Sequence, residues 1–390
     1  MTERTCAHNS TTFQKLRYYY ENREEAPRKH KERGGLVLAV MGCDVPDEIL
    51  LAGNFFPLRI CAGSHIEESS PAAYLEYAFD PIIRRQFTRL VSGYYDDFTD
   101  LLAISNSSDV LIRIYYYLRE LNRMGEGVKT EPVFIDWLFT HFMIHEERNE
   151  WTLHRFIHTL EEIHGATISE KALRDACVIM NNNRAVLREF AALRTPAEGL
   201  SRITGPEALI VTGAGFFMER EEHTALVKAL CKEAADWPVV HLPKIFYTGS
   251  IQEDTVLYED LLSAGLNVVA EDHDWGSRSF HMDVDLSFSP VPAIVERYML
   301  RMPSSKKAGI SERTQALLTA VGESCVEGVI FYLNEYDDAA SWDYPVQKKH
   351  LDEKGIPSAF FSRMPYPYEP DKQITQGFTA LAGMVKEVVR

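Results

Sequence analysis

A thiol and a carboxylate stand side by side in Gly42-Cys43-Asp44, directly after an apolar run of strand length. Proteins of the α/β type commonly build their sites at the carboxyl ends of strands, and a thiolate there can act as a nucleophile. Glu48 follows in a predicted helix whose first amide groups could bind an anion or a carbonyl oxygen. The segment therefore predicts Cys43, Asp44 and Glu48 as catalytic residues. The structural alternative is a buried cysteine beside an aspartate that caps the helix.

A denser polar cluster follows another apolar run, at residues 267–270. Its sequence is Glu271-Asp272-His273-Asp274-Trp275-Gly276-Ser277-Arg278. Loops after strands that combine carboxylate, imidazole and guanidinium groups are suited to catalysis or to binding cofactor phosphates. We expect His273 to be catalytic, and Asp274 and Arg278 to bind a cofactor. The alternative is a surface turn held by salt bridges.

Two pairs of histidines are each spaced four residues apart, His141 with His145 and His154 with His158. Residues at this spacing share one face of a helix, so each pair could bind a divalent metal. The metalloprotease pattern HExxH is absent from the sequence, and polar helix faces are common. We therefore favour an exposed polar face, and predict no metal site.

A glycine-rich stretch, Thr212-Gly213-Ala214-Gly215, has part of a dinucleotide-binding pattern. Met218 stands where that pattern requires its third glycine. Nicotinamide binding is therefore not favoured, and a tight turn between a strand and a helix is the simpler interpretation.

The strands that would position these residues are predicted from short apolar runs bounded by turns. The runs cover residues 36–41, 57–61, 101–105, 208–213, 267–270, 328–331 and 357–361. Helical patterns cover residues 11–33, 47–52, 71–95 and 109–124, and residues 131–195 are predicted to form several helices without strands. This alternation predicts an α/β fold with two related doubly wound parallel-sheet domains joined by a helical segment.

Four segments follow from this pattern along the 390 residues. We expect an N-terminal helix over residues 1–33, a first α/β domain over 34–130, a helical connector over 131–205 and a second α/β domain over 206–390.

Charge and apolar content limit the location and the partners of the protein. The formal net charge of -16 disfavours binding to nucleic acid, because it repels phosphate groups. No apolar stretch in the sequence approaches the length of a membrane span, and the N-terminus lacks a hydrophobic signal region, so we expect a cytoplasmic protein with no membrane partner. The spacing of the six cysteines does not suggest a disulfide framework: Cys6, Cys43, Cys61, Cys177, Cys231 and Cys325.

Several stretches, taken in their order along the chain, resemble a known family. They are Pro46 to Gly53, Leu160 to Gly165 followed by Asn183-Arg184, Glu271 to Arg278, Glu327 to Ile330, Gly355 to Pro357 and Gln373 to Thr375. Together they resemble the subunits of 2-hydroxyacyl-CoA dehydratases, such as the 2-hydroxyglutaryl-CoA dehydratase D-component, and of benzoyl-CoA reductases. The resemblance covers nearly the whole chain, and it implies two related α/β domains with a helical segment.

The resemblance also implies a heterodimeric enzyme of anaerobic metabolism. In this family two homologous subunits pair, and each usually holds a [4Fe-4S] cluster on cysteine ligands. A separate activator hydrolyses ATP and supplies one electron at low potential, after which the acyl-CoA substrate reacts through a ketyl radical.

This chain departs from the family where the cysteine ligands are expected. Asp80, Ser108 and Asp274 stand at those three positions, and Ser304 stands at another place where cysteine is frequent. Soft thiolates suit iron–sulfur clusters, whereas carboxylate and hydroxyl oxygens suit harder ions. We therefore expect no conventional cluster in this chain. Asp80, Ser108 and Asp274 remain predicted cofactor-binding positions, with Arg278 placed to meet a phosphate of coenzyme A.

The leading hypothesis is a cluster-free subunit that contributes to acyl-CoA binding or to activator docking. Its partners would be a homologous subunit that carries the [4Fe-4S] cluster, the ATP-dependent activator and an acyl-CoA, and the reaction would be a dehydration or a ring reduction. Two alternatives stay open. One is a cluster on non-standard ligands that include Cys43 and Cys61. The other is a stand-alone small-molecule or metal-binding protein that uses Cys43, Asp44, Asp80, His273 and Asp274.

Overall fold

The chain is described by a computed structural model over residues 4–63, 74–76, 78–129, 131–195, 200–304 and 307–388. Within these residues, strands form two four-stranded parallel sheets. The first sheet contains β1 (Leu36–Met41), β2 (Phe55–Arg59), β3 (Leu101–Ser105) and β4 (Val133–Ile135), and the second contains β5 (Lys244–Gly249), β6 (Asn267–Glu271), β7 (Gly328–Asn334) and β8 (Ser358–Met364). The orders β2-β1-β3-β4 and β6-β5-β7-β8 repeat one topology. The predicted α/β fold with two parallel-sheet domains is thereby confirmed.

Helices surround both sheets. In the first half they are α1 (Thr5–Asn9), α2 (Thr11–Glu21), α3 (Glu25–Glu32), α4 (Asp47–Ala52), α5 (Pro81–Val91), α6 (Asp109–Met124), α7 (Met143–His164) and α8 (Glu170–Ala192). In the second half they are α9 (Gly205–Ala214), α10 (Arg220–Ala234), α11 (Val256–Ser263), α12 (Pro290–Leu300), α13 (Ile310–Glu323), α14 (Asp338–Glu353) and α15 (Lys372–Val388). The described part of the chain contains no helix that is both long and apolar enough to cross a membrane.

Strand β1 is buried on both faces. Successive side chains of a strand point to opposite faces of the sheet, and those of β1 enter two different apolar clusters. Ala39 and Met41 belong to the largest apolar cluster of the molecule, which also includes Tyr247 of the second sheet. Leu38 and Val40 belong to a separate cluster on the opposite face. The two domains therefore share one continuous core.

Helix α12 lies between β6 and β7 in the sequence but packs on the first domain. It contacts α7 and α8, and its residues Ile294 and Tyr298 belong to the same apolar cluster as Leu38 of β1. A helix from the C-terminal half of the chain therefore contributes to the apolar cluster on one face of the N-terminal sheet.

The prediction of a strand over residues 208–213 is wrong, because these residues lie in α9. Thr204 and Glu207 form a reciprocal capping box at its start, with a proline in the first turn. The helix is buried on almost every side, so its apolar run shows no periodicity that would distinguish it from a strand. The small residue Gly213 allows close packing, since an added Cβ would lie 2.8 Å from the ring of Tyr20. The glycine pattern therefore belongs to a helix end, and the strand that opens the second sheet is β5.

Other boundaries differ in detail. The predicted strand at residues 57–61 begins two residues earlier, and the N-terminal helix is divided into three. The segment predicted to lack strands contains β4, whose three residues are too few to give a sequence signal. Helix α5 covers part of the predicted helical segment 71–95, of which residues 71–73 and 77 lie outside the described residues.

Candidate functional site

The loop after β1 lies where the strand order of the first sheet reverses, between β1 and β3. Gly42 adopts a φ of +93°, and a Cβ there would lie 2.4 Å from Ser105 Oγ. The amides of Cys43 and Asp44 donate to Ser107 Oγ at 3.0 Å and Ser105 Oγ at 3.2 Å. Serines at the end of β3 thereby fix this loop at the usual ligand-binding edge of such a sheet.

Asp44 is buried and contacts two cations. Its Oδ1 accepts from Arg301 Nη2 at 2.5 Å and from Lys307 Nζ at 2.6 Å. Burial opposes ionisation, but the charges of Lys307 and Arg301 hold the pKa of Asp44 well below its usual range. Burial and the neighbouring charge of Arg301 lower the pKa of Lys307 to about 8. Asp44 is therefore a fixed anion that anchors two cations.

The thiol of Cys43 lies beside this carboxylate. Its Sγ is 3.6 Å from Asp44 Oδ2, and the backbone carbonyl of Cys43 accepts from Arg301 Nη2 at 2.5 Å. Burial, together with the negative charges of Asp274 and Asp44, raises the pKa of the thiol to about 12. The resting state of Cys43 at neutral pH is therefore the thiol, which is not a strong nucleophile.

Glu48 lies in α4, where it is fully buried between α8 and α12. It pairs with Arg184, and its Oε2 accepts from the hydroxyl of Tyr298 at 3.3 Å. Burial opposes ionisation, but the charges of Arg184 and Arg297 lower the pKa of Glu48 to about 2. Glu48 therefore connects three helices as a buried carboxylate.

Asp274 and Arg278 form an ion pair in the loop after β6, with Asp274 Oδ1 3.0 Å from Arg278 Nη1. Burial opposes ionisation of Asp274, while Arg278, Arg301 and Arg59 hold its pKa below the usual value. Both residues of the pair line two separate cavities. The ion pair therefore forms part of the wall between those cavities.

The first cavity, of about 50 Å³, lies between the β1 loop and helices α8, α9, α10 and α12. Six guanidinium groups line it: Arg59, Arg184, Arg220, Arg278, Arg297 and Arg301. The second cavity, of about 180 Å³, lies at the carboxyl edge of the second sheet, where Thr248 and Asp272 line it together with Arg313 and Asp343. Cys43 lines only the first cavity, and Ser304 only the second.

The remaining predicted residues do not line these two cavities. His273 is buried and uses both ring nitrogens, with Nε2 2.9 Å from the hydroxyl of Tyr258 and Nδ1 3.2 Å from the amide of Trp275. Burial lowers the pKa of His273 to about 4, so the ring is neutral at physiological pH. Asp80 accepts from the amides of Ile82 and Ile83 and caps α5. Ser108 likewise caps α6.

Several residues of the site were not predicted from the sequence. Arg297 and Arg301 reach the first cavity from α12, and Lys307 reaches Asp44 from the segment that follows it. The first two do leave a signal in the sequence, because Arg297 and Arg301 are four residues apart at the end of a mostly apolar helix and so share one face of it. That pattern does not identify the residues, distant in the sequence, with which the two arginines make contact.

The three residues that stand where the resemblance places cysteine ligands do not fit an iron–sulfur cluster. Asp80 and Ser108 are engaged as helix caps, Asp274 is paired with Arg278, and none of the three offers a thiolate. Over the described ranges, no group of three or more histidine, cysteine, aspartate or glutamate side chains is arranged to hold a metal ion. We therefore derive no chemical step that passes through a cluster on this chain.

Comparison with known proteins agrees with the resemblance found in the sequence. The (R)-phenyllactyl-CoA dehydratase beta subunit of Clostridium sporogenes is 25% identical over 356 residues, which cover 88% of this chain and 91% of that protein. The lactoyl-CoA dehydratase subunit beta of Anaerotignum propionicum is 28% identical over 343 residues, covering 84% and 86%. A benzoyl-CoA reductase subunit of Thauera aromatica is 22% identical over 335 residues, covering 83% and 84%.

A family model described as "2-hydroxyglutaryl-CoA dehydratase, D-component" matches residues 43–365. The match begins two residues after the end of β1 and includes strands β2 to β8. The chain therefore belongs to the 2-hydroxyglutaryl-CoA dehydratase D-component family.

Proposed function

We propose that this chain is the cluster-free subunit of a heteromeric 2-hydroxyacyl-CoA dehydratase or benzoyl-CoA reductase type of enzyme. In that complex a homologous subunit holds the [4Fe-4S] cluster, and this chain contributes to the acyl-CoA site or to the docking of an ATP-dependent activator. The relatives are themselves named as subunits, which supports a role as one component of an assembly.

The observation that carries the proposal is the ion pair between Asp274 and Arg278. By the resemblance of the sequence, Asp274 stands where the family has a cysteine ligand, and its carboxylate is paired with Arg278 in an arginine-lined cleft. A guanidinium group beside two cavities is suited to binding a phosphate or a thioester oxygen, because it presents several donors in a fixed plane. The position thus has the chemistry of substrate binding in place of cluster ligation.

The test is to measure iron and acid-labile sulfide, with a visible spectrum, on anaerobically purified protein. The chain is prepared alone and together with a cysteine-bearing homologue, and the homologue is prepared alone as the control. We expect a colourless single chain and a stable coloured complex whose iron equals that of the homologue alone. Near-stoichiometric iron and sulfide in the isolated chain, or a native preparation without any homologous partner, would contradict the proposal.

The contribution to substrate binding is tested separately in that complex. Arg278→Ala should weaken acyl-CoA binding by about tenfold, the typical effect of losing one charge-assisted contact. Arg188→Ala is the matched control, because Arg188 pairs with Asp283 and lines neither cavity. Equal affinities for the two variants would remove Arg278 from the binding site and leave activator docking as the role to be tested.

The second cavity favours one alternative, a stand-alone protein that binds a small polar molecule. Its lining combines Asp272, Arg313 and Asp343, which offer both charges within about 180 Å³. A homogeneous native protein without a cysteine-bearing partner, with a small molecule retained after purification, would favour this function over the first.

A further inference from the structure

Arg297 is a buried cation with an unused donor. Its Nε donates to the carbonyl of Met282 at 2.7 Å and its Nη2 to that of Ser279 at 3.3 Å. Its Nη1 has no hydrogen-bond partner among the described residues, although the side chain is only 2% exposed and lines the first cavity. Buried charged groups ordinarily satisfy their donors, so an unused donor on a side chain that lines a cavity indicates a ligand.

The carboxylates around the first cavity each form an ion pair with another residue. Asp47 pairs with Arg220, and Glu48 with Arg184. Asp274 pairs with Arg278, whereas Asp44 is shared by Arg301 and Lys307. These contacts leave the two remaining arginines of the lining, Arg59 and Arg297, without a carboxylate in ion-pair contact within the described structure.

The positive charge of Arg297 is only partly balanced by the groups nearest to it. Its guanidinium lies 4.8 Å from the ring centroid of Tyr298, and Glu48 acts on it only from beyond ion-pair distance. Arg59 donates to the carbonyl of Gly42 at 2.6 Å and lies over the ring of Phe216. Burial and the positive charge of Arg184 lower the pKa of Arg297 to about 10, which still leaves it protonated at neutral pH. The cavity therefore carries surplus positive charge.

We propose that the first cavity binds a single oxyanion group, held by the guanidinium groups of Arg297 and Arg59. A space of about 50 Å³ admits one phosphate or carboxylate group but not a whole coenzyme A. Charge-assisted bonds to such a group satisfy Arg297 Nη1 and neutralise the surplus charge. The anion is either free in solution or the terminal group of a larger ligand.

The site requires only this chain, so its test is independent of the proposed function. Isothermal titration of the isolated chain uses inorganic phosphate, acetate and coenzyme A in a chloride buffer. Saturable binding of phosphate alone identifies a phosphoryl group, and binding of acetate identifies a carboxylate. Binding of coenzyme A without free phosphate identifies a group delivered on a larger ligand. Failure of all three probes to bind would overturn the proposal.

Variants assign the binding to the cavity. Arg297→Gln should weaken the binding of whichever probe binds by about tenfold or more. Arg188→Gln is the control, since it removes a nearby charge that does not line the cavity. Equal affinities for these two variants would overturn the proposal. If Arg297→Gln does not fold, the half-buried Arg59 replaces it in the same comparison as Arg59→Gln. Where inorganic phosphate is the probe that binds, selenate diffused into wild-type crystals must also give an anomalous peak beside Arg297 Nη1.

Discussion

Asp44 Oδ1 and Arg301 Nη2 lie 2.5 Å apart although the two residues are 257 positions apart in the sequence. One belongs to the loop after the first strand, and the other follows helix α12 from the C-terminal half. Their contact, buried on both sides, fixes the first sheet to the loop that leads into the second cavity.

Removing the charge of Asp44 should destabilise the protein strongly. Asp44→Asn leaves Arg301 and Lys307 buried without their shared anion, which costs about 3–5 kcal/mol in the free energy of unfolding. The measurement is urea unfolding followed by circular dichroism. Asp175→Asn, in the exposed pair with Lys171, is the control and should cost less than about 1 kcal/mol. Equal losses would mean that the Asp44 cluster contributes no more than a surface pair.

Glu48 should make stability depend on pH in the acidic range. Its pKa falls from 4.5 to about 2 on folding, so the stability it contributes is fully present above about pH 4.5 and is lost as the pH falls towards 2. Glu48→Gln should remove on the order of 3 kcal/mol of this dependence. The measurement is urea unfolding of both proteins between pH 6 and pH 2, a range that includes both pKa values. Parallel curves for wild type and variant would contradict the assignment.

Cys43 should react slowly with alkylating reagents. A pKa of about 12 leaves very little thiolate at pH 7.5, and the thiol is half-buried, whereas Cys325 is exposed. We expect Cys325 to be fully modified by iodoacetamide before Cys43 is detectably modified, as followed by peptide mass spectrometry. The Cys325→Ser variant confirms the peptide assignment. Comparable rates at the two positions would show that Cys43 is an activated thiol.

Gly42→Ala should be more damaging than the same change at another left-handed glycine. Both Gly42 and Gly125 have positive φ, but a Cβ at Gly42 would lie 2.4 Å from Ser105 Oγ, while one at Gly125 would meet no atom within 4 Å. Gly125→Ala therefore reports backbone strain alone, about 1–3 kcal/mol. The excess destabilisation of Gly42→Ala, measured by thermal unfolding, reports the close contact between the β1 loop and β3. Equal destabilisation by the two variants would mean that the β1 loop can shift to accommodate the added methyl group.

The sequence was sufficient where a signal is local. The apolar run of β1, the short helix α4 and the polar cluster after β6 are defined by neighbouring residues, and their positions at strand ends place Cys43 and Asp274 at one cavity. The apolar run of α9 was misassigned because a helix buried on almost every side and a buried strand have the same composition. Residues that are distant in the sequence but pair in the fold leave no local signal. The pairing of Asp44 with Arg301 is therefore visible only in the structure.

The packing of α12 on the first sheet restricts how the cleft can admit a ligand. If the two domains separated as rigid bodies, α12 would have to leave its apolar contacts beside Leu38, and Asp44 would lose Arg301. Such a movement would expose both a hydrophobic helix and a buried charge to water. We therefore expect hinge opening between the domains to be energetically unfavourable. We expect any bound molecule to exchange instead through local rearrangement of side chains and loops at the rim of the cleft.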